Sequence, residues 1–225
     1  MGSPGAQLYD QEVHIIHIPE GIRKSEKATN EIIAEAVTFL HRDGIIVLEN
    51  AIDTSHLDTL NSLLSKEAIE IAADPDHHFN FGKETQNMDQ APPPRRELMF
   101  KDIWCNPFAA AICAGILGPR PVVHYANGNT ALKATGRQPV HSDCEFAHPN
   151  FPFAMVVNIN LVDTSALNGA TEFWPGSHHC STVDDHLVLD ERRLLDIRPE
   201  HVEARRKHSP PIQVGTKKGS LVFVI

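Results

Sequence analysis

The chain has 225 residues, 41% of them apolar and 22% charged, with 20 basic against 29 acidic side chains and a net charge of -9. These fractions fit a globular domain with a sizeable core and argue against a disordered, collagen-like or membrane-embedded chain. The acidity repels phosphate backbones, so no nucleic-acid partner is expected, and the longest apolar run, residues 108–117, falls short of the ~20 needed to cross a bilayer. No secretory or peroxisomal address is read, and the expected location is cytoplasmic. Cysteines 105, 113, 144 and 180 have no C-x-x-C spacing, so they read as plain thiols; the 14 histidines are the unusual feature.

Residues 1–24 read as a loose leader with one edge strand around Val13-His14-Ile15-Ile16, ahead of a single domain over 25–225. Ile32, Ile33, Ala36, Val37, Phe39 and Leu40 have the spacing of one buried helix face, which Asp43-Gly44 ends. Ile45-Ile46-Val47-Leu48 is continuous and β-branched, hence a buried strand. Asp53 or Thr54 caps a second helix carrying Leu57, Leu60, Leu63, Leu64, Ala68 and Ile71. From 73 to 97 the chain is polar and Pro-rich, either a surface insert or a lid over a pocket. A third helix over about 107–117 stops at Gly118-Pro119.

Beyond Pro121 the pattern changes to strands, at 122–133, 140–144, 151–163, 170–174, 211–214 and 220–225. In the third of these, Phe153, Met155, Val157, Ile159 and Leu161 share one face, opposite Asn158 and Asn160. The charged segment 189–207 reads as a solvated helix. Helices followed by strands give an α+β, mainly β chain: a sandwich or jelly roll buttressed by N-terminal helices.

His141-Ser142-Asp143 carries the chemistry. In an extended strand residues i and i+2 share a face, so the imidazole of His141 and the carboxylate of Asp143 can converge while Ser142 turns away. That is two thirds of the 2-His-1-carboxylate triad that leaves iron positions open for a co-substrate and oxygen. A surface strand with a chance pair gives the same three letters.

Further on, the segment from Gly169 to His178 resembles the G-A-x-x-x-x-P-G-S-H signature of the phytanoyl-CoA dioxygenase family of iron(II)/2-oxoglutarate oxygenases. The helix, Asp43-Gly44 and the strand Ile45-Ile46-Val47-Leu48 resemble that family's N-terminal unit. Gln138, three residues before His141, is similar to fungal members acting on alkaloid, peptide and terpenoid intermediates. The resemblance covers about residues 28–225. It implies a double-stranded β-helix (a cupin-like jelly roll) that binds iron(II) and consumes 2-oxoglutarate and O2, releasing succinate and CO2 as a small organic, natural-product substrate is oxidised. His141 and Asp143 match the metal ligands; Gln138 and Thr171 match positions that contact 2-oxoglutarate. His178 and His179 fall on the family's turn and are expected to cap or pack. His124, His148 and His208 are poor third ligands.

The family's distal histidine, and the arginine that pairs with the far 2-oxoglutarate carboxylate, follow a strand of the form Gly-polar-Leu plus apolar residues. Here that strand is Gly219-Ser220-Leu221-Val222-Phe223-Val224-Ile225. The expectation is therefore a chain lacking its last strands: an oxygenase completed by other means, or a catalytically inactive relative that keeps the fold and a small-molecule pocket. The sequence is compatible with a homo-oligomer and expects no membrane partner.

Overall fold

The centre of the molecule is strand β2 (Ile45–Glu49), whose first four residues are all buried. The computed structural model describes residues 12–148 and 151–225. β2 is flanked on one side by β1 (Ile15–His17), in parallel register with Ile16 opposite Leu48. On its other side β10 (Leu221–Val224) runs antiparallel, Val222 opposite Val47, and β5 (Val156–Ile159) follows β10 with Asn158 opposite Val222. The sheet order is β1-β2-β10-β5. Ile16 and Ile18 of the leader join the main core; residues 1–11 lie outside the described residues.

Alternation along β2 explains the layers. Ile46 and Leu48, with Leu221 and Phe223 of β10, face a helical layer. Ile45, Val47 and Val222 face the other way, toward Phe173 and Val214. Those two residues bracket a ribbon of β6 (Glu172–Phe173) and β9 (Ile212–Gln213). Each such fully buried side chain contributes about 1.5–3 kcal/mol, so both faces of one strand hold the layers together. Met155, Val157, Ile159 and Leu161 pack on the main core as their alternation expects, while Phe153 of that series is exposed.

Between β1 and β2 lie α1 (Glu20–Ser25), which the sequence did not announce, and α2 (Asn30–Asp43), capped by Thr29. After β2 comes α3 (Thr54–Ala72), for which Asp53 is the cap, accepting from the Ser55 backbone N–H at 2.9 Å. β3 (Asn87–Asp89), the one-turn α4 (Lys101–Trp104) and α5 (Pro107–Leu117) follow. Asn106 opens α5, its Oδ1 accepting from Phe108 and Ala109 N–H groups. No helix among the described residues is long and apolar enough to cross a membrane.

The C-terminus of α2 is closed by the segment resembling P-G-S-H. Gly44 N–H donates to Leu40 O at 2.8 Å and Gly176 N–H to Asp43 O at 2.7 Å. His178 Nε2 donates to His41 O at 3.2 Å, and His179 Nε2 to Arg42 O at 3.3 Å. Four successive carbonyls that a helix end leaves orphaned are thus all satisfied. The expected capping role of the two histidines is what the structure has.

All six strand readings beyond Pro121 shrink and one helix reading changes. Of 122–133, only β4 (Asn129–Ala131) finds a partner, β3, and Val122 stands 87% exposed. β-branched composition favours extended backbone, but a strand exists only where another supplies a ladder. The charged segment expected to be one helix begins as a hairpin of β7 (His186–Leu189) and β8 (Arg192–Ile197). Its turn residues Asp190 and Glu191 have φ of 47° and 67°, the left-handed pair of a type I′ turn. Only then does α6 (Pro199–Arg206) start, with Pro199 in the first turn. In detail, the described strands form one four-stranded sheet and three two-stranded ribbons.

Candidate metal centre

The H-x-D triplet lies beside β8 and not within a long strand. His141 forms a single bridge with Asp196, supported by Ile197 N–H to Val140 O at 2.9 Å and Ser142 N–H to Leu195 O at 3.2 Å. That is enough extended backbone to bring the two side chains to one side. His141 Nε2 and Asp143 Oδ1 are 3.8 Å apart. Asp143 is 71% exposed and His141 partly buried, so the pair forms an open mouth and not a slot enclosed between two sheets. The described chain supplies only one bridge here, and a single bridge covers one side.

The hydrogen bonding of His141 fixes its tautomer. Nδ1 lies 2.9 Å from Pro139 O. A carbonyl can only accept, so Nδ1 carries a proton, and in the neutral ring it is Nε2 that presents a lone pair. That lone pair faces a carboxylate too far away to share a proton with it. A neutral imidazole nitrogen and a carboxylate oxygen 3.8 Å apart suit a cation between them. At metal–ligand distances of about 2.1 Å, adjacent ligands of an octahedral ion sit about 3 Å apart, so a closure of under about 1 Å completes the grip. An imidazole nitrogen and a carboxylate oxygen are the donor types iron(II) takes in the facial triad, so these residues fit the implied metal.

Ser142, as expected, turns away. Its hydroxyl lies 3.1 Å from Nε2 of buried His186, whose Nδ1 donates to Leu194 O at 2.7 Å. This pair ties the back of the triplet to the β7–β8 hairpin. Burial first, then the charges of Asp143 and Glu145, push the Cys144 thiol above its ordinary range. It stays protonated at neutral pH and does not compete as a thiolate ligand.

Gln138 and Thr171 sit on segments that the structure joins. Arg137 Nη2 donates to Glu172 Oε1 at 3.3 Å, and each partner is the immediate neighbour of one of the two residues. Gln138 is partly buried and Thr171 exposed. Neither side chain has a hydrogen bond among the described residues, leaving both polar ends available to a ligand. Among the described residues no group of three His, Cys, Asp or Glu side chains gathers around a common point. The third position of the triad is therefore not assigned to His124, His148, His178, His179 or His208.

Sequence reasoning missed the ceiling of this mouth. The segment 73–97 is neither a free insert nor a simple lid. From Glu84 to Gln90 it bonds to residues 128–136: Gly136 N–H to Glu84 O at 2.8 Å, Leu132 N–H to Gln86 O at 3.0 Å, Gln90 N–H to Gly128 O at 2.9 Å. Just before that ladder, the Phe81 ring packs on the His141 imidazole with centroids 4.7 Å apart and planes tilted by 40°. A Phe-Gly dipeptide in a polar stretch gave no sign of this contact.

Comparison with known proteins adds the family. The model of the family described as Phytanoyl-CoA dioxygenase (PhyH) matches residues 40–224. Among solved structures, the chain is similar to the non-heme alpha-ketoglutarate-dependent carbocyclase SnoK from nogalamycin biosynthesis, with 19% identity and a TM-score of 0.60 over 89% of this chain and 76% of that one. It is also similar to the epimerase SnoN, solved with Fe3+, alpha-ketoglutarate and a nogalamycin compound, with 17% identity and a TM-score of 0.55 over 87% and 75%. At such identities the likeness establishes the shared fold.

Proposed function

The chain belongs to the phytanoyl-CoA dioxygenase family, and on that premise we propose that it is an iron(II)- and 2-oxoglutarate-dependent oxidoreductase acting on a small natural-product intermediate. The family's cofactors are iron(II) and 2-oxoglutarate, with O2 as co-substrate. The observation that carries the reading is the His141–Asp143 pair: a lone pair on Nε2, fixed by the Nδ1–H bond to Pro139 O, facing a carboxylate 3.8 Å away. The cupin-like jelly roll is the architecture in which we place it, with the two faces of β2 as its inner layers.

Iron(II) with 2-oxoglutarate and oxygen supplies the oxidising power, and succinate and CO2 leave as products. The protein's residues do the rest. His141 donates its imidazole nitrogen and Asp143 its charge, which together favour a divalent ion. Gln138 and Thr171 orient the co-substrate through their free polar ends. The open side of the mouth, beyond Asp143, admits the organic substrate. SnoK and SnoN belong to nogalamycin biosynthesis, which supports a natural-product intermediate as the substrate class proposed here.

The test is paired. Wild-type protein, His141→Ala and Asp143→Asn are titrated with iron(II) under anaerobic conditions, and succinate release is then measured with oxygen. Binding by the wild type and its loss in both variants supports the site; equal binding by all three refutes it. A second reading, a non-catalytic relative that binds small molecules, is favoured by the absence of a third ligand in the cluster among the described residues. Metal-dependent binding of 2-oxoglutarate without succinate release selects it.

A further inference from the structure

We propose that Phe81 is a positioning residue for the metal centre: its ring clamps the His141 imidazole and keeps Nε2 turned toward Asp143. The proposal rests on the reading of His141 as an iron ligand. Its first support is backbone strain. Phe81 has φ of +59°, a left-handed conformation that bulky side chains rarely adopt. Such strain persists only where the surroundings over-determine it, and here they do. Thr85 Oγ1 lies within hydrogen-bonding distance of both Asn80 O at 2.7 Å and Gly82 O at 2.8 Å, and Asn80 N–H donates to Asn87 O at 2.7 Å.

The second support is that the strain gains no ordinary burial. Phe81 is 38% exposed and belongs to none of the core clusters, whereas Phe79, two residues earlier, is buried beside Ala68 and Met88. The loop anchors itself through Phe79 and extends Phe81 to His141. The third support is docking. Thr135 and Gly136 N–H groups both donate to Glu84 O, and a Cβ on Gly136 would stand 2.9 Å from Glu84 Cβ. The loop therefore meets the 135–136 turn too closely for a side chain at Gly136. Two restraints then act on one ring: Pro139 O holds Nδ1 in the imidazole plane, and Phe81 limits rotation out of it. Partners of this kind, fixing a ligand's orientation, typically tune metal affinity.

Phe81→Gly tests the clamp, because glycine accepts the left-handed backbone and removes only the ring. Three readouts are taken on the full chain: thermal stability, cobalt(II) affinity by calorimetry, and the tautomer of His141 in metal-free protein by nitrogen-15 NMR, its signals assigned by difference from His141→Ala. The expected result is unchanged or slightly raised thermal stability, a mixed His141 tautomer in place of a single Nδ1–H form, and cobalt binding weakened about threefold to tenfold. Phe81→Leu, which restores apolar bulk, should recover most of both signals. A single tautomer and unchanged cobalt affinity in Phe81→Gly overturn the proposal, as does a Phe81→Leu variant no better than glycine. If His141→Ala binds cobalt as tightly as wild type, the metal reading fails, and the tautomer measurement still decides the clamp.

Discussion

Substituting Gly44 by alanine should damage the joint between α2 and the 174–179 segment more than any single hydrogen bond there is worth. Gly44 has φ of +78°, and an added Cβ would lie 2.5 Å from Nδ1 of His178, with two more ring atoms at 3.1 and 3.2 Å. Left-handed backbone costs an alanine about 1–2 kcal/mol. Pushing the imidazole aside breaks its bond to His41 O, at a further cost of about 1 kcal/mol. The sum of about 2–3 kcal/mol corresponds to a melting temperature lower by about 5–10 °C in a domain of this size. Gly169→Ala is the control: φ there is +87° with nothing within 4 Å, so only the backbone cost applies. The decisive assay is a thermal or urea double-mutant cycle with His178→Ala. With the ring gone, Gly44→Ala should cost only the left-handed share, giving a coupling of about 1 kcal/mol. Additivity within about 0.5 kcal/mol would refute the steric joint.

Burial first, and then the neighbouring His179, hold the His178 pKa down to about 4. The unfolded chain takes up this proton first, so the contribution is full above about pH 6.5 and is lost as pH falls toward 4. After discounting for solvent access it amounts to about 1–2 kcal/mol, and the slope in stability-versus-pH curves should shrink in His178→Gln. Gln138→Ala should weaken 2-oxoglutarate binding several-fold at unchanged melting temperature, since no internal hydrogen bond is lost; a fall in stability without a change in affinity counts against its role. Replacing Asp190-Glu191 by Asn-Gly should stabilise the hairpin by about 0.5–1 kcal/mol in urea melts, because Glu191 at φ of 67° is strained where glycine is not; no gain would contradict the turn assignment.

The helical half was legible because its signals are local. Apolar residues every third or fourth position, a side-chain cap at Asp53, and a stop at Gly44 or Gly118 all act within one or two turns. Strand lengths were not. Val122, Val123 and Tyr125 have strand-forming composition yet stand exposed, because a ladder partner lies far away in sequence or is absent from the described chain. The β7–β8 hairpin was hidden for a different reason. Its turn uses Asp-Glu where the readable signal is Asn-Gly, and the arginines of β8 mimic the charged face of a helix.

At the site, what could be read was what the backbone period dictates: i and i+2 on one side placed His141 beside Asp143. What could not be read was everything that makes the pair usable. Pro139 contributes only a carbonyl, a group every residue carries, so nothing in its side chain announces that it fixes a tautomer. His186 is 44 residues from the serine it bonds, and Phe81 is 60 residues before the imidazole it covers. Such contacts depend on where loops dock, and docking here combines the β3–β4 ladder with the Glu84 carbonyl meeting a turn that lacks a Cβ at Gly136. The same reasoning separates the two roles histidine has in this chain. His141 keeps a lone pair because its proton is held by a carbonyl beside it, whereas His178 gives its Nε2 proton to a helix end and has its other nitrogen sealed against Gly44. Residue type is identical; the surroundings of the second ring nitrogen decide which one stays accessible.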